Sequence, residues 1–404
     1  MKITLIAGAR PNFMKIAPLI KAIQKAAAQG HDIRHRLVHT GQHYDKNMSD
    51  TFFEELGIPM PDVNLGCGGG TQAEQTANIM VAFEKDLMQH PTDLVLVVGD
   101  VTSTMACSIV AKKLNTKVCH VEAGIRSWDQ TMPEEINRMV TDALADYMFT
   151  TSDFANDNLK KLGAEIQQPQ QQYQQLATES TSSVAQEDNI PYAALTFKRV
   201  PQKVWWVGNV MIDTLLANRS RFRRPAVYDA LGLEEKQYVV MTMHRPANVD
   251  EQEHLKALME QIISNVHGLP IIFPIHPRTA KLFYNLWGDE EQLAKLFPNL
   301  HIVDPMGYLE FNYLVERAKA VVTDSGGITE ETTVMGVPCI TLRDNTERPE
   351  TCTVGTNMLI GTKPEAIKPA LDKLFAGEWK QGAIPALWDG HTAERIVEIL
   401  LSLS

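Results

Sequence analysis

Residues Val321–Thr332 read VVTDSGGITEET, and this short stretch decides the fold. An apolar run ending at Thr323 meets Asp-Ser-Gly-Gly, and a helical pattern begins directly afterwards. Strand, glycine turn and helix N-terminus in succession are one βα unit of a parallel sheet. Glycines allow close approach of a ligand, and the first helical turn presents N–H groups with no partner inside the helix. With the hydroxyl of Ser325, Gly326 and Gly327 therefore read as a phosphate cradle. A plain strand–helix turn capped by Ser325 is the other reading. Glu331 follows inside the helix, where a carboxylate can accept from ribose hydroxyls. After the next apolar run, RDNTERPE (Arg343–Glu350) adds Arg343 and Arg348. Two guanidinium groups beside such a cradle suit a diphosphate.

The same alternation extends in both directions. Val204–Gly208, Tyr238–Met243, Pro270–Ile275, His301–Val303 and Pro338–Leu342 are strand-like in the second half. Lys2–Gly8, His35–Thr40, Asp93–Val98, Lys117–His120 and Tyr147–Thr151 are their counterparts in the first. The expected fold is α/β: two doubly wound, Rossmann-like domains facing a cleft, over residues 1–203 and 204–387. An amphipathic helix within about 388–404 is expected to return to the first domain. Glu165–Arg199 breaks the rhythm with seven glutamines between Gln167 and Gln175, then a Thr/Ser-rich run. It reads as a surface insertion at about 165–199, or as a segment that contacts a partner. The glycine cluster Gly66–Thr71 reads as a flexible loop.

Polar residues gather where the strands of the first half end: Arg10, Gln42 with His43, Asp100 and Glu122. Ligands of open α/β sheets sit at that edge. Glu134, Glu135 and Arg138 then open a helix. Several carboxylates near one cleft suit acid–base work, because their surroundings push individual pKa values apart. Glu134 and Glu135 also complement a helix N-terminus, which is the simpler account of them. His244, at a strand end, is open to a structural or a functional reading.

The chain has 404 residues, 44% of them hydrophobic and 22% charged, with a net charge of -11. The acidic balance, without clustered basic residues, argues against a nucleic-acid partner. No apolar run approaches the roughly 18 residues of a membrane helix, and MKITLIAGARPNFMK reads as a buried strand rather than a signal peptide. Five cysteines without a CxxC pair fit a reduced, cytoplasmic setting and give no zinc ligand set. A Walker A sequence and a G-x-G-x-x-G after the first strand are both missing, which argues against a P-loop NTPase and a nicotinamide dehydrogenase.

GARPNFMK, TGQH, GD, HVEAGIRS, PEEINR, HRPANVD, TDSGGITEE and RDNTERPE, in that order, resemble the UDP-N-acetylglucosamine 2-epimerase family. The likeness spans nearly the whole chain outside the glutamine-rich segment. It implies a two-domain fold of the glycosyltransferase B type, a homodimer, a UDP-sugar substrate, and no metal or nicotinamide cofactor. It also implies reversible C2 epimerisation by elimination of UDP to a 2-acetamidoglucal and re-addition. By motif position, Asp100, Glu122 and Glu134 are the implied catalytic carboxylates, and His244 stands near the leaving diphosphate. Arg10, Ser325, Gly326, Gly327 and Arg348 are the implied diphosphate binders. Glu331 is implied at the ribose and Phe311 at uracil, with Lys15 and Arg138 as supporting charges. Gln42 and His43 match part of a motif that binds a second, activating UDP-GlcNAc in bacterial members.

Two departures bear on the substrate. The family's G-T-R-P-E opening reads GARPN here, with Asn12 for glutamate, and the H-R segment reads HRPANVD without a glycine. An altered hexose such as a UDP-2,3-diacetamido-glucuronate is therefore an alternative. A hydrolysing relative releasing ManNAc and a glycosyltransferase on the same fold are the others.

Overall fold

The computed structural model describes residues 1–41, 55–167, 202–275 and 277–403. The chain forms two compact units, Met1–Tyr44 with Ile58–Val210 and His391–Ser404, and Asp45–Gly57 with Met211–Gly390. Both are built on all-parallel sheets covered by helices. Among the described residues, no helix is long and apolar enough to cross a membrane.

The strands of the first unit are β1 (Lys2–Ala7), β2 (Arg34–His39), β3 (Val63–Asn64), β4 (Leu94–Val98), β5 (Lys117–Val121), β6 (Tyr147–Thr150), β7 (Glu165–Ile166) and β8 (Lys203–Trp206). They form one sheet in the order β3-β2-β1-β4-β5-β6-β8-β7. β4 reads LVLVV and is buried at every position, as a strand with helices on both faces must be. The order reverses between β1 and β4, so the loops leaving those two strands diverge to opposite faces. That divergence opens the crevice in which such sheets bind ligands.

The second unit repeats the plan with β9 (Val239–Thr242), β10 (Ile271–Pro274), β11 (Leu300–Val303), β12 (Ala320–Thr323), β13 (Cys339–Thr341) and β14 (Asn357–Leu359). Their order is β11-β10-β9-β12-β13-β14, and the reversal lies between β9 and β12. Val239, Met241, Phe273, Val322 and Ile340 supply one face of its core.

One strand differs from the sequence reading. The sequence places a strand at Val204–Gly208 in the second domain, yet the strand found there, Lys203–Trp206, pairs in parallel with Tyr147–Thr150 and belongs to the first sheet. A short apolar strand carries no mark of the sheet it joins; the pairing is a tertiary choice. Helix Thr392–Ser402 lies in the first unit, where Arg395 donates to the Val207 carbonyl at 2.8 Å and Lys25 meets Glu394 at 2.6 Å. Beyond Gln167, the glutamine-rich stretch lies outside the described residues, as do Gln42 and His43.

Gly124, just after β5, has φ +78°, and a Cβ there would stand 2.4 Å from the Ala155 carbonyl oxygen. Gly124→Ala is expected to cost about 2–4 kcal/mol through combined strain and overpacking, read as a lowered urea midpoint.

Candidate active site

In the first unit, the turn from β1 into helix Arg10–Ala28 is organised by Asn12. Its Oδ1 accepts the N–H groups of Gly8 and Ala9, both at 3.0 Å, and its Nδ2 donates to the Val98 carbonyl at 3.2 Å. One buried amide thus ties the end of β1 to the end of β4. Further along that helix, Lys15 Nζ lies 2.5 Å from Glu122 Oε2, with the two side chains 10% and 1% exposed. Glu122 follows β5 at φ +70°, a backbone conformation that non-glycine residues adopt at a cost and that concentrates at functional sites. Gly99 makes room for this pair, since a Cβ there would be 2.8 Å from Lys15 Nζ.

Asp100, next to Gly99 at the end of β4, is paired through Oδ2 with Arg138 Nη2, and its backbone carbonyl accepts from Asn137 Nδ2 at 2.8 Å. Both partners come from helix Pro133–Leu144. Behind them lies a buried charged group. His120 Nδ1 is 2.6 Å from Asp142 Oδ1, His120 Nε2 is 2.8 Å from the Gly99 carbonyl, and Arg126 is 2.7 Å from Asp142 Oδ2. Burial alone would raise the Asp142 carboxyl, but His120 and Arg126 outweigh it and hold it below the usual carboxylate range.

In the second unit, Asp324 at the end of β12 is fully buried. Its Oδ2 accepts from the backbone N–H groups of His244 (2.9 Å) and Arg245 (2.8 Å) and from Asn248 Nδ2 (3.1 Å). Its Oδ1 lies 2.9 Å from His244 Nδ1, while the imidazole is 63% exposed. The carboxylate therefore fixes the ring by one nitrogen and leaves Nε2 for a ligand. Burial works against ionisation of Asp324, yet His244 and the two amides pull its pKa below the usual value.

Helix Gly326–Met335 begins beside it, and Ser325 makes no side-chain cap hydrogen bond. The hydroxyl thus does not serve as the simple cap that was the alternative reading. A Cβ on Gly327 would meet nothing within 4 Å, so that face of the turn is open. Arg343 Nη1 lies 3.7 Å from the Cβ position of Gly326. Glu331 is buried and accepts from the Tyr308 hydroxyl at 2.9 Å. Burial pushes its pKa up to about 7, with nearby Glu330 adding to the rise and the Tyr308 hydrogen bond opposing it.

The family model for UDP-N-acetylglucosamine 2-epimerase matches residues 25–172 and 177–401. This chain belongs to that family. It is 37% identical over 410 residues to the UDP-N-acetylglucosamine 2-epimerase of Methanocaldococcus jannaschii, covering 99% of each chain. The crystal structure of that archaeal epimerase in complex with UDP-GlcNAc and UDP matches with a TM-score of 0.79 over 100% of both chains. The chain is also 34% identical over 405 residues to the UDP-2,3-diacetamido-2,3-dideoxy-D-glucuronate 2-epimerase of Pseudomonas aeruginosa, covering 100% of both. Like its relatives, it has two parallel-sheet α/β domains of the glycosyltransferase B type.

Set against these family members, the residues marked by sequence fall into groups. Asp100 and Glu122 end neighbouring strands, with Arg138 and Lys15 as their respective cations. Glu134 is exposed in the first turn of helix Pro133–Leu144, whereas Glu135 beside it is fully buried. His244, Ser325, Gly326 and Gly327 cluster around β9 and β12. Arg348 is held by Glu330, and Arg343 by Glu347 at 2.7 and 2.8 Å, so neither guanidinium stands as a bare charge. Phe311 is half-buried against the cluster around Tyr228 and Tyr238. Of Arg10 only the backbone is described. Asn12, read from sequence as a departure that bears on the substrate, spends its amide on the β1 turn. Asp142, Asp324 and Tyr308 were missed; only Asp324, directly after a buried strand in TDSGG, carried a local signal.

In the unfolded chain the Glu331 carboxyl ionises near 4.5, so between pH 4.5 and 7 the folded state holds more protons and loses stability as pH rises. Glu331→Gln removes that penalty. Urea unfolding should show a gain of up to about 3 kcal/mol at pH 8 and little at pH 4.

Proposed function

We propose that this chain catalyses reversible C2 epimerisation of a UDP-N-acetylhexosamine, interconverting UDP-GlcNAc and UDP-ManNAc without hydrolysis. The observation that carries this reading is the pair of carboxylates at neighbouring strand ends, Asp100 with Arg138 and Glu122 with Lys15, in a member of this family.

The C2 proton of such a sugar has no adjacent carbonyl to acidify it, so direct abstraction is slow. Cleavage of the C1–O bond to UDP places positive charge at C1 and makes the C2 proton removable. The products of this elimination are a 2-acetamidoglucal and UDP. Return of a proton to the opposite face of C2, with UDP re-adding at C1, completes the inversion. Two groups of opposite protonation state are needed, and Asp100, Glu122 and Glu134 are the carboxylates assigned to them. Glu122 touches an ammonium and Asp100 a guanidinium, contacts that hold each carboxylate in a fixed orientation. Glu134, exposed to solvent, is the third candidate and the one free to exchange protons with water.

The leaving diphosphate develops negative charge. The N-terminus of helix Gly326–Met335, the Ser325 hydroxyl and His244 Nε2 are the groups assigned to stabilise it. Glu331, poised near neutrality, is assigned to the ribose hydroxyls.

A second substrate is favoured by the full-length likeness to the P. aeruginosa diacetamido-glucuronate epimerase. Proton NMR in deuterated water separates the readings. Deuterium entering C2 of UDP-GlcNAc, with UDP-ManNAc growing to equilibrium, supports the first; exchange only on the diacetamido-uronate nucleotide supports the second. Stoichiometric free ManNAc and UDP would replace both with a hydrolysing enzyme. Asp100→Asn and Glu122→Gln should each lower C2 exchange by about 10²–10⁴-fold while UDP still binds, checked by calorimetry. Loss of UDP binding in both variants would assign these carboxylates a structural role instead.

A further inference from the structure

Glu135 sits where a reaction built on Asp100 needs support, and its contacts run in two directions. It is fully buried and accepts four hydrogen bonds. Oε2 receives the Ser127 N–H (2.9 Å), the Ser127 hydroxyl (3.0 Å) and Arg138 Nη1 (2.9 Å), and Oε1 receives the Trp128 N–H (3.2 Å). Trp128 stands at φ +61° and is 62% exposed, a conformation that needs such an external hold. Arg138 then spans two carboxylates, Glu135 by Nη1 and Asp100 by Nη2. Asn137, on the same helix, binds the Asp100 carbonyl. Asp100 is thus faced by Arg138 from this helix, while the Lys15–Glu122 pair flanks the adjoining Gly99.

We propose that Glu135 is a positioning residue for the reaction. It clamps the Ser127–Trp128 loop to the start of helix Pro133–Leu144 and aims the Arg138 guanidinium at Asp100. The role rests on the reading of Asp100 as a reacting carboxylate, but the contact chain itself is independent of which sugar is turned over. A carboxylate suits position 135, because its four hydrogen-bond partners all donate to it, one of them a guanidinium. A glutamine amide would keep its carbonyl oxygen for the three donors at Oε2 and set its N–H₂ against the Trp128 N–H, loosening the Ser127–Trp128 loop, and its neutral oxygen would hold the Arg138 guanidinium less firmly, letting it swing from Asp100.

The test measures two things on the full chain. The first is the carboxyl titration of Asp100, followed by ¹³C NMR on aspartate-labelled protein. Glu135→Gln is expected to move the Asp100 midpoint to higher pH, the loosened Arg138 contact outweighing the removal of one nearby negative charge; Arg138→Gln is expected to move it the same way, with no further movement in the double variant. Glu135→Asp keeps the charge but is a methylene short, so it should move the midpoint the same way by less; it also serves if the amide variant does not fold. The second is steady-state turnover of the nucleotide sugar that the wild-type chain accepts. There Glu135→Gln should lower kcat by about 10–100-fold with KM within about threefold.

An unmoved Asp100 midpoint in both Glu135 variants, or additive movement in the double variant, would overturn the proposal. So would equal losses in kcat and KM. A wild-type chain inactive on every nucleotide sugar would instead remove the functional reading, and the Asp100 titration would still decide the contact chain.

Discussion

At the place where a parallel sheet reverses its strand order, the loop leaving the central strand turns away with its N–H groups unpaired. Buried amide groups must find acceptors, and both units depend on how this is done. In the first, Asn12 reaches back from the helix to accept from Gly8 and Ala9 while donating across to β4. In the second, Asp324 at the end of the neighbouring strand accepts from His244 and Arg245. Each solution staples the two strands that flank the crevice, and each leaves a titratable side chain beside the staple. Lys15 lies one turn beyond Asn12, and the His244 ring sits on Asp324 itself. The difference is chemical. A neutral amide suffices where nothing titratable is to be held, whereas the histidine calls for a carboxylate.

Charge within both sites is compensated locally. Lys15 meets Glu122, Arg138 meets Asp100 and Glu135, Arg343 meets Glu347, and Arg348 meets Glu330. Buried pairs of this kind gain little net stability, since desolvation offsets attraction, but breaking one strands a charge. Their value lies in fixed geometry. Guanidinium groups already oriented by carboxylates lose less conformational freedom when a further acceptor reaches them. Glu331 is the exception, held by a hydroxyl rather than a cation, and burial accordingly lifts its pKa toward neutrality.

By itself, the sequence determined what is periodic or local. Strand–helix alternation gave two parallel α/β domains, because runs buried on both faces must be apolar along their whole length. The glycine turn at Ser325–Gly327, the strand-end residues Asp100, Glu122 and His244, and the ordered motifs of the epimerase family were all legible in the chain. Tertiary structure decided what depends on residues distant in sequence. It placed Lys203–Trp206 in the first sheet, because a strand's partner is chosen by packing and not by its own side chains. It turned Asn12 inward, buried Glu135 while leaving Glu134 exposed, and set Tyr308 against Glu331. Hydrogen-bond partners and burial determine those roles, and both arise only when the strands are laid side by side.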